Sequence, residues 1–164
     1  MAGSDWGHQS WFQFESWRCH WRCTGASDRP ALVLLHGFGA SSDHWRANIA
    51  PLAEQQPVWA LDLLGFGSSD KPRSRLVDER QGPGSVRYCF DLWAQQVADF
   101  ACQVVQPQKP LQLVGNSIGG IVALRAAQLL SERGHAPGQV ILLNCAQRAL
   151  DDRRAALLPI WERW

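Results

Sequence analysis

Leu113-Val114-Gly115-Asn116-Ser117-Ile118-Gly119-Gly120-Ile121-Val122-Ala123-Leu124 reads as a strand end, a turn and the start of a helix. Leu111–Gly115 is short and apolar, which predicts a strand. Ile118–Arg133 has helical patterning, and Gly134 stands in the usual C-terminal position. Between them lies G-x-S-x-G, Gly115 to Gly119, with Gly120 following. A turn that sharp strains the serine backbone, and a side chain at 115 or 119 would collide with its neighbours. Ser117 should then project above a sheet at a helix N-terminus, whose dipole favours developing negative charge. A small-residue packing contact is the plainer alternative, but the strand–turn–helix placement favours an exposed nucleophile.

The same grammar runs outward from this stretch. Ala31–His36 (ALVLLH) is a continuous apolar run, as in a strand buried on both faces. Gly37–Ser42 is a Gly-rich turn, and Ser42–Leu52 shows helical spacing through Trp45, Ile49 and Leu52. Val58–Leu63 predicts the next strand, Phe90–Val105 a helix with Trp93, Val97, Phe100 and Val104 on one face, and Gln139–Asn144 a last strand. Residues 68–87 read as an exposed loop. Residues 1–10 read as a loose terminus, and Trp11–Cys23 as an outer strand or hairpin with Trp17, Cys19, Trp21 and Cys23 on one face. Alternating strands and helices predict an α/β fold: a mostly parallel sheet, helices on both faces, ligands at the strand carboxyl ends.

Composition narrows the function. Hydrophobic residues make up 46% of the 164, which excludes a disordered polyelectrolyte. Sixteen basic against fifteen acidic side chains give a charge of +1, so no basic field points to nucleic acid. The start, MAGSDWGHQS, has neither a basic n-region nor an apolar run, and no aliphatic stretch is long enough for a transmembrane segment. A cytoplasmic protein is the expectation. Nine Trp are many for this length, and core packing is the expectation for most of them.

His36-Gly37-Phe38-Gly39 is the second chemical signal. An acyl-transfer site needs two fixed N–H donors for an oxyanion, and the backbones of Phe38 and Ile118 are the candidates. The rival is a dinucleotide-binding turn, since Gly37–Ser42 approaches G-x-G-x-x-G and Asp62 could hold a ribose. Against it, the third glycine is Ser42.

HGFGASSDHW, ALDLLGFGSSDKP and LVGNSIGGIVAL, in this order, resemble the α/β-hydrolase fold family of serine hydrolases. Within it they are similar to the branch of pheophytinase and chlorophyll dephytylase. The resemblance covers Trp17 to about Asn144 and implies an α/β-hydrolase core, truncated before its last strands. It divides the chain into a loose segment (1–16), the core (17–150) and the start of a lid (151–164). It implies that Ser117 is the nucleophile, that Phe38 and Ile118 supply the oxyanion hole, and that Asp62, Gly65 and Gly67 shape a structural turn. His36, Gly37, Gly39, Gly115, Asn116, Gly119 and Gly120 support the motifs. The implied activity is ester hydrolysis without a cofactor, on a bulky apolar ester such as a phytyl ester, with peripheral association with photosynthetic membranes.

One departure stands out. In the family the triad acid and histidine follow the serine, yet the only later histidine is His135, at the wrong end of a strand. His36 sits in the oxyanion motif and His44 on the first helix. Asp151 and Asp152 could supply an acid but have no histidine to orient. Without a base Ser117 is a poor nucleophile, so this chain is expected to be inactive or to act as a binding module. Cys19, His20 and Cys23 suggest a metal site by type, but strand spacing sets the cysteines about 13 Å apart, so packing and no metal is the expectation. Cys145 reads as a buried thiol; Arg148, Arg153 and Arg154 as a solvated face; Trp161 and Trp164 as lid or tunnel residues.

Overall fold

The computed structural model describes residues 6–75, 79–80, 82 and 84–145. The expectations for Arg148, Asp151, Asp152, Arg153, Arg154, Trp161, Trp164 and the lid lie outside those residues. His8–Phe14 (β1) and Trp17–Thr24 (β2) form an antiparallel hairpin, paired from His8 opposite Cys23 to Phe14 opposite Trp17. The strand therefore begins inside the segment 1–16 that was expected to be loose. Its alternation explains why: Phe12 and Phe14 are buried, while Trp11 and Gln13 face outward, as in an outer strand with one face on the core.

Leu32–Leu35 (β3) and Val58–Leu61 (β4) follow, parallel to each other, with β4 also antiparallel to β2. Arg73–Ser74 (β5) and Ser85–Val86 (β6) make a two-residue parallel bridge within the loop expected over 68–87. Gln112–Asn116 (β7) and Gln139–Leu143 (β8) complete the main sheet in the order β1-β2-β4-β3-β7-β8. A 3₁₀ turn at Ser42–Trp45 precedes Ile49–Ala53 (α1). Phe90–Phe100 (α2) runs on as a π-helical turn through Val105, and Ile118–Glu132 is α3.

Two apolar clusters cover the two faces of the sheet. Val33, Leu35, Leu61 and Leu113 pack with Val97 and Phe100 of α2 and with Val122 and Ala126 of α3. Leu32, Leu34, Val58, Ala60 and Val114 pack on the other side against Trp45 and Ile49. Every residue of β3 is buried because its odd and even positions each meet a helix layer. Truncating one such leucine to alanine costs about 2–5 kcal/mol. Among the described residues, no helix is long and apolar enough to cross a membrane.

Candidate active site

The G-x-S-x-G stretch is the junction of β7 and α3. Ser117 has φ 56° and ψ −121°, a left-handed backbone that side chains rarely adopt. The glycines make the turn possible by contact. A Cβ at Gly115 would lie 2.1 Å from Gly119 O, and one at Gly119 would lie 2.5 Å from Leu35 O and 2.6 Å from His36 O. The first turn of α3 thus rests on β7 and on the end of β3. Ser117 N–H donates to Leu143 O at 2.9 Å, tying the turn to β8 as well.

The His36–Gly39 loop lies against this turn. A Cβ on Gly37 would stand 3.2 Å from Ser117 Cβ. His36 is fully buried, with Nδ1 2.7 Å from Gly37 O and Nε2 accepting the Leu63 N–H at 3.1 Å. Both its nitrogens are committed to the backbone, so it cannot take a proton from Ser117. Phe38, by contrast, is 62% exposed. Ile118 opens α3, so its N–H belongs to the donors that a helix leaves outside its own ladder.

Asp62 is sealed beneath the loop. Its carboxylate accepts the N–H groups of Ser42 (2.5 Å) and Ser68 (2.8 Å) and faces His20 Nδ1 at 2.9 Å. Burial pushes its carboxyl up, but the bonds from His20, Ser68 and Ser42 prevail and hold it below its ordinary range. A Cβ on Gly67 would strike Asp62 Oδ2 at 2.2 Å, which explains that glycine beside the turn. A carboxylate so enclosed has no oxygen to offer a ribose, and one of its oxygens already holds the N–H of Ser42 at the end of the turn. The geometry does not support the dinucleotide alternative.

The five histidines are all described, and none is hydrogen-bonded to the Ser117 hydroxyl among the described residues. His20 is buried on Asp62, and His135 follows α3, before β8, at the end of the sheet away from Ser117. His44 contacts the residue before the serine: its Nε2 is 3.4 Å from Asn116 Nδ2. Cys19 is buried in the core, where desolvation, reinforced by Asp70, pushes its thiol up to about 12. A thiol so hard to ionise is a poor nucleophile or metal ligand. Cys145 is half-buried and packs over Gly120, whose Cβ would lie 2.9 Å from its Sγ.

This combination of a G-x-S-x-G elbow between β7 and α3, an adjoining loop and the sheet order has a counterpart among known families: residues 30–135 match the alpha/beta hydrolase fold. The chain belongs to the alpha/beta hydrolase fold family. It is 32% identical over 148 residues to chloroplastic pheophytinase of Arabidopsis thaliana, covering 77% of this chain and 30% of that protein. It is also 32% identical over 103 residues to human 1-acylglycerol-3-phosphate O-acyltransferase ABHD5, covering 59% of this chain and 25% of that one. A crystal structure of a bacterial membrane phospholipase A superposes with a TM-score of 0.68 at 32% identity, over 85% of this chain and 40% of its own. This alpha/beta hydrolase fold chain therefore spans about a third or less of the curated relatives it matches.

Two features of the site escaped sequence reasoning. His20 as the partner of Asp62 is one; its place on β2 gave no hint of a contact 42 residues away. Phe66 is the other: it touches both His36 and Phe38, and its only signal was an aromatic residue between two glycines.

Proposed function

We propose that this chain carries the nucleophile of a serine hydrolase that cleaves esters through an acyl-enzyme on Ser117. The observation that supports it best is the Ser117 backbone, φ 56° between two glycines that admit no side chain. Strain of this kind, worth about 1–3 kcal/mol, persists where a surrounding structure over-determines it, and such residues cluster at active sites. Ser117 Oγ attacks the ester carbonyl while its proton passes to a general base. The N–H groups of Phe38 and Ile118 hold the oxyanion, the alcohol leaves with the proton, and water then releases the acid. None of these steps needs a cofactor.

The base in this reading comes from outside the described residues, and the chain alone turns over activated esters slowly. The substrate is a bulky apolar ester, of which a phytyl ester is one example. The identity with pheophytinase and the exposed phenyl ring of Phe38 support that class. The experiment is fluorophosphonate labelling together with p-nitrophenyl ester turnover, for the chain and for Ser117→Ala. Slow turnover and labelling, both lost in Ser117→Ala, are expected; turnover and labelling indifferent to that change overturn the proposal. Fast turnover lost only in the alanine variant would show that a base is already in place.

A second reading, a non-catalytic binding module, is favoured by the lack of a hydrogen-bonded histidine at Ser117. It predicts no labelling of Ser117 by fluorophosphonate, with or without a supplied base such as imidazole.

A further inference from the structure

We infer that Phe38 and Phe66 form an aromatic step beside Ser117 that grips a planar ring system on the substrate ester and so sets substrate choice. This rests on the reading of Ser117 as the reacting residue. Position is the first argument. A Cβ on Gly37 would stand 3.2 Å from Ser117 Cβ, and the next residue, Phe38, carries an exposed ring on the same loop.

Support beneath the ring is the second. Phe38 is 62% exposed, yet it meets Phe66 edge to face, with centroids 5.4 Å apart and planes at 75°. Phe66 in turn contacts His36 at 5.6 Å and Trp93 at 5.8 Å. Trp93 is buried and donates its indole N–H to Leu64 O at 2.9 Å, which fixes the foot of the stack. The rings descend from solvent to core in three steps.

Turn geometry is the third argument. Gly65 and Gly67 flank Phe66 at φ 94° and 53°, and Phe66 N–H donates to Leu63 O at 2.9 Å. The tight turn thus sets the partly buried phenyl of Phe66 at the edge of the core cluster, between Phe38 and Trp93. Exposed apolar side chains standing singly are ordinary, and Leu124 on α3 is one. Phe38 differs because its ring is braced by another and because it directly follows Gly37, where a Cβ would stand 3.2 Å from Ser117 Cβ. Ring surfaces fixed in advance bind a planar partner with little ordering cost, and edge-to-face or offset contacts suit a π system better than an alkyl chain.

The test measures binding rather than turnover, so it is independent of any base. Acetylnaphthalene and an acyclic methyl ketone of equal carbon number, both neutral and unhydrolysable, are titrated by NMR into the chain, Phe38→Ala, Phe66→Leu and Ser117→Ala. The expected result is a preference of about tenfold for the ring ketone, lost by about five- to tenfold in both phenylalanine variants and kept in Ser117→Ala. Unfolding midpoints serve as the folding control; should Phe66→Leu fail to fold, Phe38→Ala at an exposed position still decides. Absence of measurable binding, equal affinity in Phe38→Ala, or shifts confined to the cavity lined by Arg29, Trp59 and Lys109 overturns the inference. Fluorophosphonate labelling separates the two readings: ring preference without a label on Ser117 keeps the step and removes the nucleophile, and a label without ring preference does the reverse.

Discussion

His36 Nε2 accepts the backbone N–H of Leu63 at 3.1 Å while its Nδ1 donates to Gly37 O at 2.7 Å, so one ring ties the end of β3 to the end of β4. The pair of bonds requires the neutral ring with its proton on Nδ1. Burial pushes its pKa below the ordinary 6.5, against weaker opposing pulls from Gly37 O and the Asp62 charge. The folded protein is then harder to protonate than the unfolded chain. Stability from this site is full above pH 6.5 and is lost as pH falls through the depressed folded value. His36→Gln should flatten that slope and cost about 1–3 kcal/mol at neutral pH, by unpairing buried backbone groups. Urea unfolding across a pH series checks it; an unchanged slope in the variant would contradict the assignment.

Gly115 and Gly119, which are constrained by close contact, should separate sharply from Gly134, a glycine of positive φ. Gly115→Ala and Gly119→Ala place a methyl within 2.6 Å of backbone atoms that cannot move without breaking the sheet contact. Each should cost about 3 kcal/mol or more. Gly134 has φ 80° but open space around it, so Gly134→Ala should cost only about 1 kcal/mol, the strain of the conformation itself. Thermal melts of the three variants rank them. Equal losses at 115 and 134 would remove the close-contact argument.

What the sequence disclosed follows from which interactions are local. Leu32–Leu35 was legible because a strand buried on both faces leaves no polar alternation to confuse the reading. The elbow was legible because its glycines and serine are contiguous. The helix expected over Ser42–Leu52 divides instead into a 3₁₀ turn and α1. Pro51 explains the break: its ring would clash with the Ala47 carbonyl and it lacks an N–H, so it is tolerated only in a first turn. β1 was partly hidden because an outer strand buries only two of its seven residues. The Asp62 and Phe66 contacts join segments far apart in the chain, and no local pattern encodes such meetings.

Asp62 offers a test of the rejected nucleotide reading and of the turn together. Asp62→Asn would aim an amide N–H₂ at donors that now meet a carboxylate, namely Ser42 N–H, Ser68 N–H and His20. A loss of about 2–4 kcal/mol is expected at neutral pH. The carboxyl is held below its ordinary 3.8, so its contribution is full above that pH and lost as pH falls through the lowered value. Calorimetric titration of the unmodified chain with NAD, NADP or FAD should give no binding heat. Micromolar binding that weakens in Asp62→Asn would revive the dinucleotide assignment.

The outer edge of β8 should make the chain self-associate. β8 pairs with β7 from Gln139 opposite Gln112 to Leu143 opposite Asn116, and among the described residues no strand pairs with its other side. Leu142 and Leu143 are 43% and 42% exposed there. An apolar strand with unpaired N–H and C=O groups is a template for another chain, and parallel sheets tolerate such an edge poorly. Leu142→Lys combined with Leu143→Glu places charges on the edge, a device that natural sheets use against edge pairing. Light scattering should drop several-fold in that variant, with the unfolding free energy changed by no more than about 0.5 kcal/mol. The elbow is coupled to this edge through Ser117 N–H and Leu143 O. Covering the edge with a co-expressed C-terminal part of a family member should therefore raise both solubility and fluorophosphonate labelling of Ser117. A chain already monomeric and soluble alone, whose double variant and co-expressed form behave identically to it, would show that β8 is not an interface and that its edge does not limit the reactivity of Ser117.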